Sequence, residues 1–343
     1  MPLWTEVVDP IEATGIARVE LEEHERTKGT LARFLPNVPS LGDSVEFYID
    51  GDSLVAPAKY RAFNAPPEIG GGGGMQKRVV ALAAISREEP IDEKTLRALK
   101  SLPVDRVRKS IVAAIKRNIW SVGDRNEITR AVLVDTGDVT VNTGNYVIDD
   151  KYNRDAALKN LTVGAGGYWS DKAVDRLEQL STYVDLYASK NRDRKPAVIL
   201  MSRAAWSAFS RGNQFATVLN GGATRPALAQ DVRAIVESAD LPRIEIYERS
   251  TAAGRVLPAN KIYFMPEPSD VTAEEPTELG ATYFGESLLA DVPGYEGVGS
   301  EPGVVVGVYR EDRTPVVVQA QIDTVTLPVA HNQNAAFGVQ VLA

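Results

Sequence analysis

Two stretches read as strands, Asp43–Asp50 (DSVEFYID) and Lys77–Ser86 (KRVVALAAIS), and the segment between them is rich in Gly and Pro. It runs GDSLVAPAKYRAFNAPPEIGGGGGMQ, and compact domains rarely hold a structureless connection of that length. Two readings remain: the segment is disordered, or it is a long two-stranded projection whose tip packs elsewhere. The alternation around KYRAFNA favours extended structure within it.

The five consecutive glycines, Gly70, Gly71, Gly72, Gly73 and Gly74, sharpen the question. A phosphate-binding loop joins a strand to a helix and carries G-x-x-x-x-G-K-[S/T]. Here Met75–Gln76–Lys77–Arg78 and β-type residues follow, and the loop-like FNAPPE precedes. Holding five glycines rigid would also cost roughly 1–2 kcal/mol of backbone entropy for each residue. The run reads as a flexible hinge.

Composition excludes several chemistries. The 343-residue chain has no cysteine, so disulfides, thiolate nucleophiles and cysteine metal sites are ruled out. Its two histidines, His24 and His331, lie far apart with no metal-ligand spacing, and no nucleophile elbow is present. No catalytic set, metal site or cofactor is expected. A net charge of −8 is poorly suited to gripping nucleic acid non-specifically. No secretory signal and no apolar run of membrane-spanning length are found, so no membrane partner is expected.

Along the chain, the first 35 residues resemble an arm with an acidic cluster from Glu20 to Glu25 and a short helix over 16–26. Val104, Val107, Ile111, Ile115 and Ile119 recur every three or four residues and predict a long helix broken near Gly123, with Asp124 and Glu127 spaced to cap a further one. DVTVNTGNYVIDDKYN reads as a hairpin. A helix capped by Ser170 carries Val174, Leu177, Leu180 and Val184, and PAVILM reads as a buried strand followed by a helix capped by Ser202. Strand and helix alternate over 150–265 as in a compact α/β domain. GVVVGVYRE and PVVVQAQIDTVTLPVA form a C-terminal hairpin, and the chain closes on the strand-like AAFGVQVLA.

This order resembles the tailed-bacteriophage major capsid proteins, specifically the lambda-like major capsid protein E family with the HK97-type fold. The matching stretches are FYIDGDSLVAPAKYRAFNAPPEI with KRVVALAAISREEPID, SVGDRNEITRAVLVDTGDVTV, NRDRKPAVILMSRAAWSAF and AAFGVQVLA. The resemblance implies an α+β fold: N-terminal arm over 1–40, strand, extended E-loop and return over 41–86, and spine helix with P-domain hairpin over 87–150. The A-domain would occupy 151–270, and strands over 271–343 would complete the P-domain and core. It implies a virion protein, assembled in the host cytoplasm. Copies would form pentamers and hexamers, with scaffold, portal and possible decoration proteins as partners, around double-stranded DNA held without sequence-specific contacts. The glycines would let the E-loop adapt to non-identical neighbours. Leu21, Leu31, Phe34, Leu35, Tyr60 and Phe63 are expected to meet neighbouring subunits. An encapsulin-like compartment, a tail-tube protein and an α/β enzyme stand as alternatives.

Overall fold

The computed structural model describes residues 3–343 except 6, 29–30, 50–75, 92, 100–103, 143–145, 216–226, 296–297, 299–300 and 312. Its first long element, α1 (Pro10–Thr27), starts earlier than the apolar spacing indicates. Asp9 caps it by accepting from the Ile11 N–H at 3.2 Å, and Pro10 presets the first helical φ. Small residues on one face, Ala13 and Ala17, then let the helix pack closely, with Leu21 one turn further on.

Next come β1 (Asn37–Pro39), β2 (Ser44–Ile49), β3 (Gln76–Ala81) and β4 (Ala83–Ile91). Strands β2 and β3 form an antiparallel ribbon, but the single strand expected over Lys77–Ser86 divides at Leu82, and Ala83 to Ser86 belong to β4. After α2 (Glu93–Leu99), α3 runs unbroken from Val104 to Thr136, which is 33 residues. The expected break at Gly123 and the cap at Asp124 are absent. Gly123 instead lies where α1 crosses: a Cβ there would stand 3.1 Å from His24 Cδ2 and 3.4 Å from Leu21 Cδ1. The glycine marks a close helix crossing. The helix ends at Gly137, whose φ of +81° suits a residue without a side chain. Buried Arg154 donates to the Leu133 and Asp135 carbonyls there at 3.0 and 3.2 Å, satisfying groups the last turn leaves open.

The hairpin of β5 (Asp138–Asn142) and β6 (Val147–Lys151) follows, then the short β7 (Leu161–Thr162) and α4 (Arg176–Lys190). Helix α4 begins five residues later than the Ser170 cap would place it, because Asp175 accepts from the Leu177 and Glu178 N–H groups. The buried β8 (Val198–Met201) leads into α5 (Arg203–Ser210), whose cap is Ser202 as expected. The remaining elements are α6 (Ala229–Ser238), β9 (Arg243–Ile246), β10 (Ser250–Thr251), β11 (Gly254–Arg255), β12 (Lys261–Met265), β13 (Gly280–Gly285), β14 (Val304–Glu311), β15 (Val317–Ala330) and β16 (Phe337–Gln340).

Two sheets organise the molecule. One has the order β1-β13-β15-β14, with β4 also on β15. Strand β15 alternates half-buried and buried residues through its first half, and α3 covers the buried side with Ile111, Ile115 and Ile119. The other sheet has the order β7-β16-β12-β8-β9, and its core includes Phe209 of α5, Val232 of α6 and Leu180 of α4. Strand β16 belongs to this second sheet. It sits between β7 and β12, pairing Phe337 with Phe264, so the terminal apolar residues close the second core.

Candidate assembly surface

The root of the β2–β3 ribbon is two-faced. Val45 pairs with Val80 and Phe47 with Arg78, and Val45, Phe47 and Val80 are buried in the main core. Alternate residues face outward: Tyr48 and Val79 are exposed, and Glu46 bonds Lys77 at 2.7 Å beside them. Because the side-chain period of a strand is two, the inner pairs fix the outer ones in register. Gly70 to Gly74, Tyr60 and Phe63 lie beyond this root, outside the described residues.

The arm residues sit elsewhere than expected. Leu31, Phe34 and Leu35 are buried in this chain's own main core, and Leu21 is buried between α1 and α3. They give stability to one protomer and leave no surface for a neighbour. The physical reason is the docking of α1, which carries the chain back across α3 and folds 31–35 inward.

What holds that docking is a buried ionic hub, which sequence reasoning missed. Arg130 of α3 is fully buried and donates to Glu25 Oε1 at 2.7 Å, Thr282 Oγ1 at 2.8 Å and Asn37 Oδ1 at 2.5 Å. Asn37 in turn donates to Glu25 Oε2 at 2.7 Å. One turn earlier, Glu127 accepts from the Leu31 N–H at 2.8 Å and from the Tyr247 hydroxyl. Arg249 reaches Asp124 at 2.8 Å and approaches Glu127 at 3.8 Å. The hub therefore joins α1, β1, α3, β13 and the segment that follows β9. Burial pushes the Glu127 carboxyl up, while Arg130 and Arg249 pull it back. Burial and the neighbouring Arg249 hold His24 below its ordinary value. The D-x-x-E spacing of Asp124 and Glu127 was the legible signal; it belongs to the inner face of one continuous helix.

Among the described residues no group of three or more His, Asp or Glu is placed to hold a metal ion, and no helix is long and apolar enough to cross a membrane. The profile of the family described as phage major capsid protein E matches residues 30–286, three quarters of the chain. The chain belongs to that family. No curated protein matches it in sequence. The capsid protein assigned to a prophage of E. coli CFT073 superposes with a TM-score of 0.63 at 14% identity, covering 96% of this chain and 99% of that one. A phage-related protein from Bordetella bronchiseptica RB50 gives 0.54 at 15% identity, covering 93% and 95%. At such identities the likeness shows the fold, which is the HK97-type capsid fold with mixed helix and sheet. As a member of the phage major capsid protein E family, this chain is a shell-forming structural protein.

Proposed function

We propose that this chain is the repeating unit of an icosahedral head shell that encloses double-stranded phage DNA, arranged as pentamers and hexamers. The observation that carries this reading is the two-faced ribbon root. Its inner face belongs to the protomer core, and its outer face offers Tyr48 and Val79 beside an ion pair. A strand pair with one apolar-bearing face turned away from its own core is suited to lie on another copy. The acidic balance supports the second half of the reading, because a chain of net negative charge does not grip packed DNA tightly. Scaffold, portal and decoration proteins are the partners this function calls for, and the host cytoplasm is the place of assembly.

The test is nuclease protection. Particles purified after co-expression with the neighbouring packaging genes should retain nuclease-resistant double-stranded DNA of uniform length. Particles that hold a protein cargo and no protected DNA would favour a cellular compartment and overturn the proposal.

A further inference from the structure

Charge in this chain is segregated along the sequence. From 262 to 309 there are nine carboxylates and no Lys or Arg, whereas 93–117 has eight Lys and Arg against two carboxylates. The structure gives each block a shaped surface. In the acidic block, a single helical turn over Leu288–Asp291 is capped by Ser287, whose hydroxyl also donates to Asp323. Leu289 and Ala290 pack inward against Tyr295 and Leu3, so the turn is fixed in place. Leu288 projects from it with 82% exposure and Val292, just past its end, is also exposed; Glu286 precedes the turn and Asp291 is its last residue. Neither of those carboxylates has an ion-pair partner among the described residues.

In the basic block, a groove of about 580 Å³ opens between α2, α3 and the end of the β14–β15 hairpin. Trp4, Leu96, Val107, Val316 and Val318 supply its apolar lining. Arg97 and Arg310 stand among them with Glu93, which pairs with Arg97 at 2.6 Å, and Lys94 and Arg106 are exposed on the adjoining turns. Lys94 and Arg106 have no ion-pair partner among the described residues. An apolar knob accompanied by two acids thus matches an apolar groove whose neighbouring turns carry the unpaired cations Lys94 and Arg106.

We infer that the Leu288 turn of one copy docks in the α2–α3 groove of a second copy, as one of the repeated contacts of the shell. This rests on the shell-forming reading. Leu288 and Val292 enter the apolar lining, and Glu286 and Asp291 meet Lys94 and Arg106 at its rim. The charges select the register and orientation, and the apolar knob supplies the burial. An open, non-reciprocal version of the contact builds rings or sheets, and a reciprocal one builds pairs across a two-fold axis.

The absence of native cysteine makes the test clean. Chains carrying only Leu288→Cys are mixed with chains carrying only Leu96→Cys, assembled, and oxidised with diamide, which takes up the two protons and two electrons of the thiol pair. The expected result is a dimer band on a non-reducing gel from the mixture, with either variant alone giving less than a tenth of it. Electron microscopy of the same sample separates the two claims. Shells that form without the cross-link overturn this contact and leave the shell reading standing, whereas absence of shells from the wild-type chain overturns the shell reading itself. If either variant fails to assemble, Asp291→Cys with Arg106→Cys, both at exposed charged positions, gives the same readout. As an independent arm, Glu286→Lys with Asp291→Lys should lower shell yield at least tenfold, and adding Lys94→Glu with Arg106→Glu should restore it. Unchanged yield in the first variant would also overturn the contact.

Discussion

Arg130 shows how much one residue can decide. Its guanidinium has no exposure and is met by Glu25, Thr282 and Asn37 from three separate elements. Removing one partner of a buried pair leaves the other charge uncompensated, at about 3–5 kcal/mol. Arg130→Met should therefore lower the urea midpoint by that equivalent, and Glu25→Met by a comparable amount. The double variant should recover a large part of the loss, because both charges are gone; strict additivity would contradict the hub. His24 provides a second residue-scale test. It faces Glu20 and Lys28 from its own helix, Asp124 and Trp120 from α3, and Arg249 from the second sheet's edge. Its folded value lies below the ordinary 6.5, so the unfolded chain takes up the proton more readily. Its contribution is intact above pH 6.5 and is lost as pH falls below it. Urea midpoints measured from pH 8 to pH 5 should show a steeper decline for wild type than for His24→Gln; parallel curves would contradict this.

At the scale of elements, α1 and α3 carry the main lesson. Gly123 is the contact point, with His24 and Leu21 on the opposite face of the crossing. Gly123→Leu should cost about 1–3 kcal/mol by overpacking, although leucine favours a helix over glycine by up to about 1 kcal/mol. A calorimetric scan in which the variant is more stable than wild type would contradict the close crossing. The ribbon behaves differently, because Tyr48 and Val79 face away from the core. Tyr48→Ser with Val79→Thr should leave protomer stability within about 0.5 kcal/mol for each site and reduce shell yield several-fold in light scattering. Equal loss of both would place these side chains in the fold instead. The ribbon, α3 and the β14–β15 hairpin were legible because their apolar periods of two and of three to four are local properties. The hub was not. Glu25, Glu127, Arg130 and Arg249 come together from 225 residues of chain, and a buried charge looks like any surface charge until its partners are known. The same blindness sent Leu31, Phe34 and Leu35 to a neighbour: an apolar arm signals burial, and its pattern is silent about whose core receives it.

For the whole molecule, the order of pieces was more informative than any one motif. Among the described residues a strand pair, a long helix, alternating helices and strands and C-terminal strands follow one another in that order. The sheet crossing of β16 was hidden because AAFGVQVLA specifies a strand and leaves its partner open. A shell protein needs no cleft for chemistry; its function resides in surfaces that are incomplete in a single copy. Shell formation is therefore the central claim, and the direct measurement is electron microscopy with size-exclusion chromatography of the purified chain, alone and co-expressed with a scaffold. Closed shells of tens of nanometres are the predicted result. A monomer or dimer under every one of these conditions would contradict it.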